Sequence, residues 1–416
     1  MDILVVGGGG RESAIVAALK RSSGVGRVYC APGNGGIPDS LSVDAMDFPG
    51  LLAAAKEKRV GFVVVGPDDP LAAGLVDLME ANGFPCFGPD AKAALIEASK
   101  AFAKDLMRRH GVPTASYRVF SDIVSANSFV ESCPLPVVVK ADGLALGKGV
   151  VVAATRNDAK EALRDAMADH AFGKSGNTVV VEEFLTGPEV SVLSFTDGKT
   201  IVPMVSSMDH KRAFDGDRGP NTGGMGAVAP NPWYTPEIAK ECMERIFRPT
   251  VDAMRSEGRP FKGCLYFGLM LTREGPKVIE YNCRFGDPEA EAVLPLLESD
   301  LLTIMRHVRD GCLEESDVCF RDASSCCIVL ASGGYPLAYE KGKRIFIGHP
   351  DAVVYHAGTA IRDGLLVTNG GRVLDVVSVA PTLREAIGRA YGAVDEISFE
   401  KMYMRRDIGR RALTGA

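Results

Sequence analysis

The sequence contains no apolar run approaching the ~20 residues needed to span a membrane. Its first residues, MDILVVGGGGRESAIV, carry an acid at the second position and reach glycine after a short apolar stretch, so they do not read as a secretory signal peptide and none is expected. Positive charge is not in excess either: 47 Lys and Arg against 53 Asp and Glu give a formal charge of -6. The basic footprint of a nucleic-acid binder is therefore missing, and an anionic ligand has to be met by local basic residues. Ten cysteines lie between Cys30 and Cys327 with no CxxC pair, so neither a zinc site nor a disulfide framework is signalled. Reduced, mostly buried thiols in a cytoplasmic protein without nucleic-acid or membrane partners are expected. What is present is ordinary for a folded chain: 416 residues, 46% hydrophobic and 24% charged, enough for about three domains.

The chain opens with alternating strand-like and helix-like segments. Asp2 to Val6 reads as a strand, Gly7 to Gly10 as a turn, and Glu12 to Leu19 as a helix. A second apolar run, Val60 to Val65, ends in Gly66-Pro67-Asp68-Asp69-Pro70 before another helix-like stretch. Such units predict a doubly wound parallel sheet over residues 1 to about 95, with ligands beyond the carboxyl ends of its strands. Ser99 to His110 predicts a helix bearing Lys100, Lys104, Arg108 and Arg109, stopped by Gly111 and Pro113. The β-rich runs Pro136 to Lys140 and Gly149 to Ala154 flank a glycine-rich piece and predict a hairpin. Asn369-Gly370, between apolar runs, predicts another.

The first glycine run fails as a dinucleotide fingerprint, because position 12 is Glu where a small residue is required. Gly9 and Gly10 at a helix start can still offer N–H groups to an anion, with a plain tight turn as the alternative. Gly143 to Gly149 is not a P-loop: three residues rather than four separate its glycines, Gly149 replaces the magnesium-binding Ser or Thr, and a strand follows. A glycine loop carrying Lys148, with Lys140 ending the preceding strand, can nevertheless cover polyphosphate oxygens. The alternative is a solvated hairpin. Val179 to Leu185 runs from an apolar strand into Glu182 and Glu183, with Glu189 shortly after. That arrangement suits an adenine edge and ribose hydroxyls, or equally a solvated strand end.

Lys277 to Glu289 is the most informative stretch. Glu280 and Asn282 share a face of a strand, two hard oxygen donors of the kind that hold magnesium with phosphates supplying the rest. Arg284 follows, placed for a carboxylate or a transferring phosphoryl group, and a plain Arg284–Glu280 pair is the alternative. Asp209 to Gly226 is polar and glycine-rich without apolar periodicity, which favours a functional loop over a packing element, with no catalytic role for His210.

Eight segments together carry a resemblance running nearly end to end. They are Gly9-Gly10-Arg11-Glu12, Ala31-Pro32-Gly33-Asn34, Gly66-Pro67-Asp68, Ser99-Lys100-Ala101-Phe102, Lys140 to Leu144 with Gly147-Lys148-Gly149, Asp209-His210-Lys211-Arg212, Gly219 to Gly226, and Asn282 to Glu289. The chain resembles the phosphoribosylamine–glycine ligase family of ATP-grasp enzymes. The resemblance implies that glycine, ATP and 5-phosphoribosylamine give glycinamide ribonucleotide, ADP and phosphate through glycyl phosphate, a step of purine biosynthesis.

By matching position it implies Glu280 and Asn282 as ligands of Mg2+ or Mn2+, and Lys104, Lys140, Gly147 and Lys148 as phosphate contacts. Glu182, Glu183, Phe184 and Leu185 would line the adenine pocket and Glu189 would meet the ribose. Arg284 and Asp287 would be catalytic. Gly9, Gly10, Glu12, Asp68, Asp209, Lys211, Arg212, Asn221, Thr222, Gly223 and Gly224 would meet the substrate. The implied fold mixes α/β and α+β: an N-terminal doubly wound domain (1–98), an ATP-grasp domain (99–320) with a hairpin-containing lid (about 115–187), and a small C-terminal domain (321–416). A monomer or homodimer of bacterial, single-activity type is expected, since the chain stops at Ala416. Two positions depart from the family: Ser13 stands where His is common, and Gly8 where Asn or Ser is.

Overall fold

A computed structural model describes residues 1–144, 149–169 and 171–414. Its first sheet is wholly parallel, in the order Val28–Pro32, Ile3–Gly7, Phe62–Val65, Cys86–Phe87. The central strand Ile3–Gly7 is buried throughout, as a parallel strand covered on both faces must be. Its alternation sorts side chains between two cores: Ile3 and Val5 pack with Ala14, Ile15 and Leu19, whereas Leu4 and Val6 pack with Leu51, Ala55 and Leu71. Beyond the strand's carboxyl end the chain turns tightly into the helix Gly10–Leu19. Gly8 is required there, because a Cβ would lie 2.4 Å from the Gly33 carbonyl oxygen. The larger residue common in the family has no room in this turn. Ser13 donates to the His356 carbonyl at 2.5 Å and so stitches the helix to the C-terminal part of the chain.

A second, antiparallel sheet runs Tyr117–Phe120, Val179–Glu183, Val137–Ala141, Val150–Ala153. The helices Ile123–Ser132 and Arg156–Met167 pack through Ala126, Val130 and Leu163 onto Val137, Val139, Val179 and Val181. Period-two alternation therefore leaves Lys140 and Glu182 on the other face.

The third sheet, Ile201–Pro203, Glu189–Asp197, Lys262–Thr272, Gly275–Asn282, is antiparallel and holds a β-bulge. Gly268 faces Glu280 but Leu269 faces Val278, so Ile279 is the extra residue. Strict alternation would place Val278 on the face of Glu280. The bulge instead lets Val278 and Tyr281 both enter the core, while Glu280 and Asn282 remain together and partly exposed.

The last sheet joins Met208–Asp209 and Gly226–Ala229 to Ser324–Ser332, Arg372–Ala380, Val353–His356 and Met402–Tyr403, under the helix Leu383–Val394. Two expectations need correction here. Asn369-Gly370 does not turn a hairpin: Leu365–Thr368 pairs back onto Thr359–Arg362 through Asp363-Gly364, at φ +50° and +74°. Arg372–Ala380 already has Ser324–Ser332 and Val353–His356 on its two sides, which leaves no edge for a further strand. Asp209 to Gly226 is also more than a loop, since Arg212–Phe214 and Arg218–Asn221 pair as a short antiparallel ribbon. No described helix is long and apolar enough to cross a membrane, and all ten cysteines are unpaired, eight of them buried.

Candidate active site

Where the second sheet meets the bulged strand, three buried charges interlock. Lys104, from the Ser99-capped helix Lys100–Arg109, donates to Glu182 Oε2 at 2.7 Å and to Thr114 Oγ1 at 2.8 Å. Lys140 Nζ lies 2.9 Å from Glu182 Oε1, too poorly aligned for a hydrogen bond, and donates at 3.0 Å to the carbonyl of the bulged Ile279. Burial pushes the Lys104 ammonium down to about 8. Against its own burial, Glu182 is held below the usual carboxylate range by Lys140 and Lys104. This set keeps Lys140 in a fixed position near Glu280, on which its charge acts.

Lys211 Nζ lies 3.2 Å from Glu280 Oε1 and 3.7 Å from Glu189 Oε2. Its charge, opposed by burial and helped by Lys140 and Lys100, holds Glu280 down at about 2. Glu280 is thus ionised at any working pH. Asn282 Oδ1 accepts from Arg284 Nη1 at 3.2 Å. A carboxylate and an amide oxygen on one face suit a hard divalent cation. Among the described residues no group of three or more His, Cys, Asp or Glu is arranged to hold a metal, so phosphate and water would complete such a shell.

The chain between the sheets passes Glu183, Phe184, Leu185 and Glu189. Glu183 Oε1 accepts from the Ser116 N–H at 3.0 Å, Phe184 and Glu189 are exposed, and Leu185 is half-buried. Gly147 and Lys148 lie outside the described residues.

Arg284 stands just past the bulged strand. Phe285 seats it by wedging between Phe87 of the first sheet and Phe195 of the third, with ring centroids 6.0 and 5.9 Å away. Arg284 pairs with Glu97 at 3.2 Å, not with Glu280. Its Nη1 also donates to the Phe285 carbonyl, and its Nε is buried with no hydrogen-bond partner among the described residues. Against its own burial, Glu97 and then Asp68 raise the Arg284 guanidinium above its usual range.

The substrate candidates fall into two groups. Glu12 is buried beneath the glycine turn, with Oε2 accepting from the Gly9 N–H at 2.7 Å and Oε1 2.6 Å from Arg11 Nε. Gly10 lies against Glu291 and Asp375, and the Arg11 N–H reaches Asp287 Oδ2 at 3.5 Å. Asp287 is 3.0 Å from Arg372, which also donates to the Gly223 carbonyl. Asp209, beside Glu289, is raised well above the usual range by burial and by that neighbour. Thr222 Oγ1 bonds the Lys211 carbonyl and accepts from the Gly224 N–H, and Asn221 ends the ribbon strand.

Arg212 donates to the Gly219 carbonyl within its own ribbon. The far side of that ribbon is clamped by the C-terminal segment. The buried Arg405 bonds the Arg212 carbonyl and Asp217, and the Gly409 N–H donates to His210 Nε2. His210 is therefore a fixed neutral side chain, its imidazolium pushed down to about 4 by burial.

Sequence reasoning gave no role to Glu97, Arg372, Glu291 or Asp375. Glu291 lies two residues past the quoted motif and was findable, whereas the other three come from distant segments. A cavity of about 390 Å³ beside Val76, Cys86, Lys262 and Arg309 contains none of the candidate residues.

Comparison with known proteins agrees along the chain. Models of the phosphoribosylglycinamide synthetase N domain, ATP-grasp (A) domain and C domain match residues 1–97, 98–290 and 325–411. A phosphoribosylamine–glycine ligase of Vibrio parahaemolyticus is 46% identical over 99% of this chain and 99% of its own. A bifunctional purine biosynthetic protein of Schizosaccharomyces pombe is 46% identical over 99% of this chain, which spans about half, 53%, of that protein. The crystal structure of phosphoribosylamine–glycine ligase from Thermotoga maritima superposes with a TM-score of 0.87 at 33% identity, covering 98% of this chain and 100% of that one. The chain belongs to the phosphoribosylglycinamide synthetase family of ATP-grasp ligases.

Proposed function

We propose that this chain joins glycine to 5-phosphoribosylamine at the expense of ATP, giving glycinamide ribonucleotide, ADP and phosphate. The observation that carries the reading is the convergence of Lys104, Lys140 and Lys211 with Glu280, Asn282 and Arg284 at one junction of the two sheets. The glycine carboxylate attacks the γ-phosphorus, the bond to the β–γ bridging oxygen breaks, and ADP leaves. The amine of phosphoribosylamine then attacks the acyl carbon of glycyl phosphate, loses a proton and expels phosphate. The lysines hold the polyphosphate, and Arg284 meets charge developing on the transferred group, so the protein acts by position and electrostatics. A divalent cation, Mg2+ or Mn2+, would be held by Glu280 and Asn282 and would neutralise phosphate oxygens there.

Asp287, between Arg11 and Arg372, and the Gly9–Glu12 turn face the amine substrate in this reading, with Asp68 and the 209–226 segment beside them. The working form is a cytoplasmic monomer or homodimer acting on small molecules. The test is ATP turnover with magnesium, glycine and freshly generated 5-phosphoribosylamine, each omitted in turn, with the product identified by mass. Glycinamide ribonucleotide formed only with all components present is expected. ATP consumption that ignores glycine or the amine overturns the reading.

A further inference from the structure

Glu97 closes the helix Ala91–Ala98 and is 7% exposed at its side chain, an expensive place for a carboxylate unless its partners compensate. Its partners are two. Oε2 accepts from the Cys283 N–H at 2.7 Å, and Oε1 lies 3.2 Å from Arg284 Nη2. Both belong to the turn that follows Glu280 and Asn282. The remaining acceptors of Arg284, Asn282 Oδ1 and the Phe285 carbonyl, are uncharged. Glu97 is the one carboxylate within ion-pair distance of Arg284 among the described residues.

Glu97 is also not what holds its own segment in place. Ser99 caps the following helix, and Asp142 accepts from both Ser99 Oγ, at 3.1 Å, and the Ala101 N–H, at 2.9 Å. Lys100 donates to the Gly143 carbonyl at 2.7 Å. The junction is anchored by these neighbours, and the carboxylate of Glu97 is spent entirely on the Cys283–Arg284 turn.

We propose that Glu97 is a positioning residue for the ligase reaction, fixing the plane and direction of the Arg284 guanidinium. The inference rests on the role given to Arg284 above. It is tested by a double-mutant cycle on the full chain, with Glu97→Gln, Arg284→Ala and the double variant assayed for glycinamide ribonucleotide by mass.

Glu97→Gln retains an acceptor for the Cys283 N–H but loses the charge. It should lower kcat about 10- to 100-fold while the KM for ATP stays within about twofold. On the Arg284→Ala background the same change should cost less than about twofold, because the group it acts through is gone. Equal losses on both backgrounds overturn the proposal and leave the role of Arg284 intact. An Arg284→Ala enzyme with full activity overturns that role, and the proposal with it. Should Glu97→Gln fail to fold, Glu97→Asp, which keeps the charge but withdraws it from the guanidinium, gives the same cycle.

Discussion

The two halves of the site carry buried charge in opposite ways. On the half proposed to hold the nucleotide, Lys104, Lys140 and Lys211 each have a carboxylate within 4 Å: Lys104 and Lys140 share Glu182, and Lys211 meets Glu280 and Glu189. On the substrate half, where the first helix, the 287–291 turn and the C-terminal sheet meet, carboxylates outnumber their partners. Asp287 has Arg372, but both oxygens of Glu291 and both of Asp375 are buried with no hydrogen-bond partner among the described residues. Compensated lysines stay charged and in place, ready for phosphate oxygens. Uncompensated acids hold protons instead: burial, with Asp287 and against Arg372, pushes Asp375 up to about 8, and Glu291 also rises well above its usual range. One half is built to meet an anion, and the other joins three segments through carboxyl groups that ionise late.

The largest expected effect lies at the centre of the compensated half. Glu280→Ala removes an ionised oxygen donor that packs no core, so glycinamide ribonucleotide formation should fall by about 10³-fold while the melting temperature moves little. A parallel collapse of both would show that Glu280 is structural. Next in size, Lys140→Met takes one partner from a buried set and leaves Glu182 with Lys104 alone. Breaking a buried pair from one side costs on the order of 3 kcal/mol. Thermal unfolding should therefore show a clear destabilisation, together with a higher KM for ATP. Unchanged stability would mean that Glu182 is already balanced without Lys140.

This contrast was only partly legible in the sequence. Local pattern was enough for Ile3–Gly7 and its glycine turn, for the helix capped by Ser99, and for the strand bearing Glu280 and Asn282. Each depends on periodicity or a cap within a few residues. The bulge at Ile279 left no such trace, yet it frees Val278 for the core and presents the carbonyl that Lys140 holds. The Asn369-Gly370 signal misled because a turn's propensity says nothing about whether the next strand already has both neighbours. The Asp363-Gly364 turn carried the same kind of signal six residues earlier. Glu97 meets Arg284, and Arg372 meets Asp287, across long stretches of chain. Their own surroundings in the sequence give no hint of an arginine or an acid to meet, so only the fold brings out the balanced and the unbalanced half.

The effect that separates the halves by sign comes from Asp375→Asn. Free aspartate titrates near 3.9, whereas Asp375 holds its proton to about 8 in the folded chain. Between those values the unfolded state binds fewer protons than the folded state, so the contribution of Asp375 to stability is full in acid. It falls as the pH climbs, and levels off once the folded group has ionised. Asparagine has no proton to lose. The variant should therefore match the parent closely near the acid end and exceed it in melting temperature at pH 8.5, with Glu291 keeping its own share of the slope. Removing a charge-bearing group would then stabilise this half, where Lys140→Met destabilises the other. A variant less stable than the parent at pH 8.5 would mean that Asp375 is ionised and paired with Arg372, and the two halves would then be balanced alike.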